Sequence, residues 1–255
     1  MRRLRERAAR ARGRLRFARW VRRLRRTLRA HGARLEVDAP HGAVLEALPH
    51  VEISEWGRGD GARTVLRIGA GVRIGREVVL ELFPGGTNVI ELGDGVRVHD
   101  HVRLQVRDGA LRVGPGCGLR PFAVLKADGE LVLEGRNEIS YGVILHCAQR
   151  VELGLGTGLA ERVSVVDSDH VGDGTDRDFY QAPLRVDPVV IEANVFVAAA
   201  AIVTRGTRVG RNSVIAAGSV LTGPRTFPAG SLIAGAPARV VRALAPAQEP
   251  VSSDR

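Results

Sequence analysis

At 255 residues and 44% hydrophobic content, the chain is long enough to bury a sizeable core in one large domain. Its net charge of +10 would suggest a polyanion binder. However, residues 1–30 hold fourteen arginines against one glutamate, and the other 225 residues carry 24 basic and 27 acidic groups, so the body has no global basic field. Two cysteines without a CxxC pair, no apolar run near the roughly 18 residues of a membrane span and no apolar signal-peptide core exclude a disulfide scaffold and make the cytoplasm the expected location.

In the arm, residues 1–30, the apolar positions Leu4, Ala8, Ala11, Leu15, Ala18, Val21, Leu24 and Leu28 recur at spacings of three and four. They predict a basic amphipathic helix, interrupted at Gly13. Such a helix could cap an open domain end, stay disordered, or lie on an anionic membrane surface, which would make the protein peripheral to the inner face of a membrane. Specific nucleic-acid recognition is not expected. Residues 31–67, with LEV, VEISEW and TVLRIG, read as short strands with insertions.

From Ile68 onward an aliphatic residue returns every six positions, followed often by a small one. Ile68, Ile74, Leu80, Leu92, Val98, Leu104, Val113, Leu119 and Leu125 open the series, and Leu133, Ile139, Leu145, Leu153, Leu159 and Val165 continue it. After a gap it resumes with Ile191, Val197, Val203, Val209, Ile215, Leu221, Phe227 and Ile233. Helices need spacings of three and four, and half-buried strands need two; a period of six fits a coil with three short faces. Each hexad supplies one strand and one turn, the aliphatic residue points inward and its small neighbour permits a tight corner. The fold class is therefore an all-β solenoid, whose narrow lumen agrees with an aromatic content of only 4%. The β-helix spans residues 31–240, and residues 241–255 read as a C-terminal tail.

The phase breaks after Val165. VDSDH leaves the wall at a corner, and residues 171–188 form a protruding loop that brings Asp173, Asp176, Asp178, Phe179 and Tyr180 near His170.

The hexads, the order SDH, loop, PVVIEANVFVAAAAIV, and the endings IAAGSVLT and IAGAPARVVRAL resemble the hexapeptide-repeat acyltransferases, especially the maltose and galactoside O-acetyltransferase group. The resemblance implies a left-handed parallel β-helix, a homotrimer, acetyl-CoA as cosubstrate without a metal, and a sugar or surface-glycan acceptor. It places His170 on the catalytic histidine, acting as general base on an acceptor hydroxyl, with Asp169 or Asp167 supporting the ring. It assigns cofactor contact to Ala199, Ala217, Gly218, Thr222, Arg239 and Arg242, and acceptor contact to Ser140, His146, Phe179, Tyr180 and Phe196. Ser140 stands where galactoside-type members carry asparagine, and Phe196 and Ala198 replace a tryptophan and a glycine.

Three alternatives stand beside this reading. N-acetylation of an amino sugar is a close variant. A γ-type carbonic anhydrase shares the fold but needs three convergent histidines, for which His99, His101, His146 and His170 lack the family's spacing. A noncatalytic scaffold would use the solenoid to display a surface.

Overall fold

The computed structural model describes residues 2–54, 62–83, 85–172, 174–176 and 178–244, without the side chains of residues 2–7, 9, 10 and 179. Three sheets of nine, ten and eight strands, parallel but for the last strand of the second, form the faces of a left-handed β-helix of about eight turns. Successive turns contribute one strand to each face. In the fifth turn, Glu130–Leu133 lies on the first face, Glu138–Ile139 on the second and Ile144–Cys147 on the third.

The six-residue period is the core. Every aliphatic position named above, from Ile68 to Ile233, is buried, and the register stacks them into continuous columns such as Leu104, Leu125, Leu145 and Val165. Where a glycine follows the inward residue, as at Gly69, Gly93, Gly114, Gly154 and Gly210, it is needed because the next turn lies directly beneath it. A Cβ on Gly114 would lie 2.0 Å from the Glu134 carbonyl oxygen. Large rings close the ends of the column, where its width is no longer fixed by neighbours: Trp20 faces the lumen beside Ile68, Ile74 and Leu80, and Phe227 is fully buried in the last turn.

Residues 31–54 make an ordinary first turn, with strands Arg34–Asp38, Val44–Leu45 and His50–Ile53 paired to the second turn in parallel. The arm is one unbroken helix, Arg2–Ala30, that covers the open end of this turn. Its buried stripe is Gly13, Phe17, Trp20, Leu24 and Leu28, whereas Leu15 is 71% exposed and Ala11 and Ala18 face solvent. Gly13 does not interrupt the helix. It is the point of closest approach, where a Cβ would lie 2.7 Å from Val44 Cγ1. Arg16 Nη1 donates to the Leu45 carbonyl (3.2 Å) and Trp20 Nε1 to the Pro49 carbonyl (3.2 Å), which fixes the helix across the prism.

At the other end, Ala238–Ala243 runs antiparallel to Ser231–Gly235 and covers the last edge of the second face. Residues 241–243, expected in the tail, therefore belong to a strand, and residues 245–255 lie outside the described residues.

Candidate functional site

After Val165 the wall ends in a buried carboxylate. Asp167 has no exposed surface, and its two oxygens accept the amides of Ala148 (2.6 Å), Gln149 (2.7 Å) and Arg150 (2.9 Å) from the preceding turn. What leaves the prism is a hairpin at the corner between the third and first faces. Ser168–His170 pairs antiparallel with Leu184–Val186, setting His170 opposite Leu184, with the helical turn Phe179–Gln181 between the strands. Pairing thus begins before residue 171, and His170 stands on the hairpin rather than on the prism wall.

Arg205 ties the base of the hairpin to the body. Its Nε donates to Asp169 Oδ2 at 2.8 Å and its Nη1 to Asp187, with only 13% of the side chain exposed. Neighbouring residues on a strand point to opposite sides, so Asp169 turns toward Arg205 while the exposed His170 turns away, edge-on to Tyr180 at 6.4 Å between ring centroids. Of the two carboxylates expected to support the ring, Asp167 accepts the three wall amides and Asp169 accepts from Arg205. The Phe179 side chain and Asp173 lie outside the described residues.

The small residues gather elsewhere, at the corner between the second and third faces. Ser140, Ala160, Ala198 and Ala216 follow one another along the second face, with Tyr141, Glu161, Ala199 and Ala217 beside them at the turn; the Gly218 amide donates to the Ala199 carbonyl at 2.9 Å. Arg239, opposite Ala234 on the last strand, reaches the same corner. Arg242, opposite Leu232, lies farther along that strand. Thr222 follows Val220–Leu221 at the far edge of the third face, so it does not share the corner.

Ser140 Oγ donates to Glu161 Oε1 at 2.9 Å, and Glu161's own amide, then Ser140, hold that carboxyl below its usual range. His146 is on the third face between Lys126 and Val166, and burial first, then Lys126, lower its pKa. Phe196 is 51% exposed on the second face, between Gly158 and Val214. Within one chain, then, His170 stands at one edge of the third face and the small-residue corner at the other. The four histidines weighed as zinc ligands are dispersed, and among the described residues no three potential ligands gather.

Two aromatic residues escaped the sequence reading. The His101 and Phe122 rings stack in parallel at 4.8 Å, and Tyr141, 50% exposed, lies on the next turn below the neighbouring Pro121. The signal for Phe122 was the hexad phase itself: like His101 it lies three residues after an inward aliphatic, at a solvent-facing corner. Both have left-handed backbones, with φ 60° and 65°, a conformation uncommon for bulky residues.

Residues 188–223 match the family described as the hexapeptide repeat of succinyl-transferase. The match falls on the wall that follows the hairpin, from Val189–Ile191 to Val220–Leu221. Among curated proteins, this chain is similar to 2,3,4,5-tetrahydropyridine-2,6-dicarboxylate N-acetyltransferase of Staphylococcus aureus (strain Newman), 36% identical over 80 residues. That stretch is 31% of this chain and 33% of the relative, so the chain spans about a third of the length of the curated relatives it matches. Among solved structures it is similar to a maltose O-acetyltransferase from Clostridium difficile 630, with 24% identity, TM-score 0.39 and coverage of 51% of this chain and 60% of that one. It is also similar to AntD, an N-acyltransferase from Bacillus cereus in complex with dTDP and 3-hydroxybutyryl-CoA, with 11% identity, TM-score 0.41 and coverage of 86% and 88%.

Proposed function

We propose that the protein transfers an acetyl group from acetyl-CoA to a sugar or glycan precursor. The observation that carries this is the match of residues 188–223 to the hexapeptide repeat of succinyl-transferase, because that segment contains Ala199, Ala217 and Gly218, the small residues that line one corner. Along that corner the pantetheine arm of CoA can lie close to the backbone. Arg239 stands at its end, where a guanidinium fork suits the phosphates of the nucleotide.

His170 is the general base. Its neutral imidazole takes the acceptor proton as the nucleophile attacks the thioester carbonyl. The tetrahedral intermediate then expels CoA thiolate, which the imidazolium reprotonates. Because His170 and the corner lie at opposite edges of the third face, the site is completed between copies of the chain. The third face carries the means of association: Ile144 and Ile202 are 45% and 41% exposed, beside the partly exposed Val124 and Val220 in the same column. A ring of three is the arrangement the resemblance implies. The exposed rings of Tyr180, Tyr141 and Phe122 supply faces on which a sugar can stack.

An amine acceptor is the second reading, and the similarity to an N-acetyltransferase favours it. Both readings are tested by transfer of labelled acetyl to a panel of hydroxyl and amino sugars, with wild type and His170→Ala side by side. The expected result is a rate loss on the order of 10² to 10⁴ with CoA binding retained. Equal rates for the two proteins would place the base elsewhere, and a wild type that neither binds nor consumes acetyl-CoA would leave the solenoid as a scaffold.

A further inference from the structure

We infer that the exposed face of the N-terminal helix is a docking surface for anionic phospholipid, on which the solenoid stands end-on. The helix has two long stripes with separate duties. Gly13, Phe17, Trp20, Leu24 and Leu28 are buried against the first turn, so the ordinary apolar face of an amphipathic helix is already used. On the opposite side, Leu15, Arg19, Arg22, Arg26 and Arg29 repeat at spacings of four, three, four and three, and all are exposed. Arg12, Arg14, Arg23 and Arg25 flank this stripe and are exposed as well. Among the described residues of the helix no acidic side chain interleaves with them, because the only glutamate of the arm is residue 6. An open cleft of about 190 Å³ between Arg22, Arg25, Arg26 and Arg29 has the size and charge for a phosphate group.

Three features select a lipid surface over other polyanions. The helix lies across the three-sided end of a prism, so its outer face is the end face of the molecule. Such a broad end cannot enter a DNA major groove about 12 Å wide, but it lies flush on a plane. Leu15, 71% exposed, heads the outer stripe, where an apolar side chain gains nothing from phosphate alone but can enter the boundary between headgroups and acyl chains. Finally, the rest of the chain carries a small net negative charge, so attraction is confined to this end and orients the molecule. No described helix is apolar enough to cross a membrane, so contact would be peripheral. His170, which follows the sixth turn, would then be held about 35 Å from the headgroups, at ~4.8 Å per turn plus the thickness of the helix.

The test is flotation of the full chain with vesicles of phosphatidylcholine alone or with about one third phosphatidylserine. It is run without acyl donor, so the outcome does not depend on catalysis. Wild type is expected to bind the anionic vesicles and not the neutral ones, with binding lost between ~50 and ~300 mM salt as screening shortens the field. Arg19→Gln, Arg22→Gln, Arg26→Gln and Arg29→Gln combined are expected to weaken binding on the order of 10³-fold. Because all four side chains are exposed, the melting temperature should stay that of wild type, and Leu15→Ser gives an independent variant with a smaller loss. Equal binding to neutral vesicles, undiminished binding by the quadruple variant, or tighter binding to a short DNA duplex than to anionic vesicles would each overturn the inference.

Discussion

Asp167 shows how a carboxylate in a motif that looks catalytic can serve the fold. Three amides converge on it from residues 148–150, and its own carbonyl accepts the Asp187 amide at 3.0 Å, which closes the base of the hairpin. Asparagine cannot replace it, because either orientation of the amide turns an NH₂ group toward a backbone N–H. Asp167→Asn is expected to cost about 3 kcal/mol and to lower the melting temperature by roughly 6–12 °C for a chain of this size. A melting curve unchanged from wild type would show that the carboxylate is dispensable to the wall. His146 sets a second expectation at this scale. Burial first, then Lys126, lower its pKa, against the opposing influence of Asp128 and Asp167, so the fold favours the neutral ring. Stability should therefore be full above the ordinary imidazole value of about 6.5 and fall as the pH drops below it. Melting curves from pH 8 to 5 should show a steeper loss for wild type than for His146→Gln; parallel curves would remove His146 from the account. The place of His170 was legible because a broken hexad marks a corner. The partners of Asp167 and Asp169 were not, since they come from residues 148–150 and 205, one turn above and below, and no local spacing encodes them.

Each strand of the prism has only two to six residues, and register is held by the inward column. The six-residue phase therefore disclosed the solenoid from the sequence in advance. The helix was harder to read. Leucines and alanines recur around its whole circumference among the arginines, so spacing alone admits several apolar stripes, and Phe17 and Trp20 define the one that packs. Gly13 looked like a break because glycine weakens isolated helices, whereas here it makes room for Val44. Gly13→Ala sets these two effects against each other. The helix gains about 1 kcal/mol of propensity, while a methyl group 2.7 Å from Val44 Cγ1 and 3.2 Å from the Leu45 amide nitrogen forces the helix off the prism at a cost of about 1–3 kcal/mol. The net change is expected to be destabilising by about 1 kcal/mol, or roughly 2–4 °C in melting temperature. A more stable variant would mean that the helix can shift without loss and is a loose lid rather than a fitted cap.

At the scale of the whole molecule, the three faces differ in what they present. The first is coated by paired charges, in which Arg67 and Arg112 both meet Glu91 and Arg150 meets Glu130 and Glu152. The third presents Ile144 and Ile202 between the hairpin edge and the small-residue corner. A site shared between copies across this face makes a prediction that no single-chain site can meet. His170→Ala removes the base but leaves the corner intact; Ala217→Phe fills the corner but leaves the histidine. Each variant alone should be inactive. Unfolded together in equal amounts and refolded, they form mixed assemblies in which a working site needs an intact histidine from one chain and an intact corner from its neighbour. Each is present with even odds, so about a quarter of wild-type activity should return, whatever the number of chains in the ring. Recovery should be absent when the two proteins are refolded separately and mixed briefly, because chains then have no time to exchange. Were the refolded mixture inactive while each variant still associated normally, His170 and the corner would have to serve the same chain, and the hairpin would need to fold across the third face to reach it.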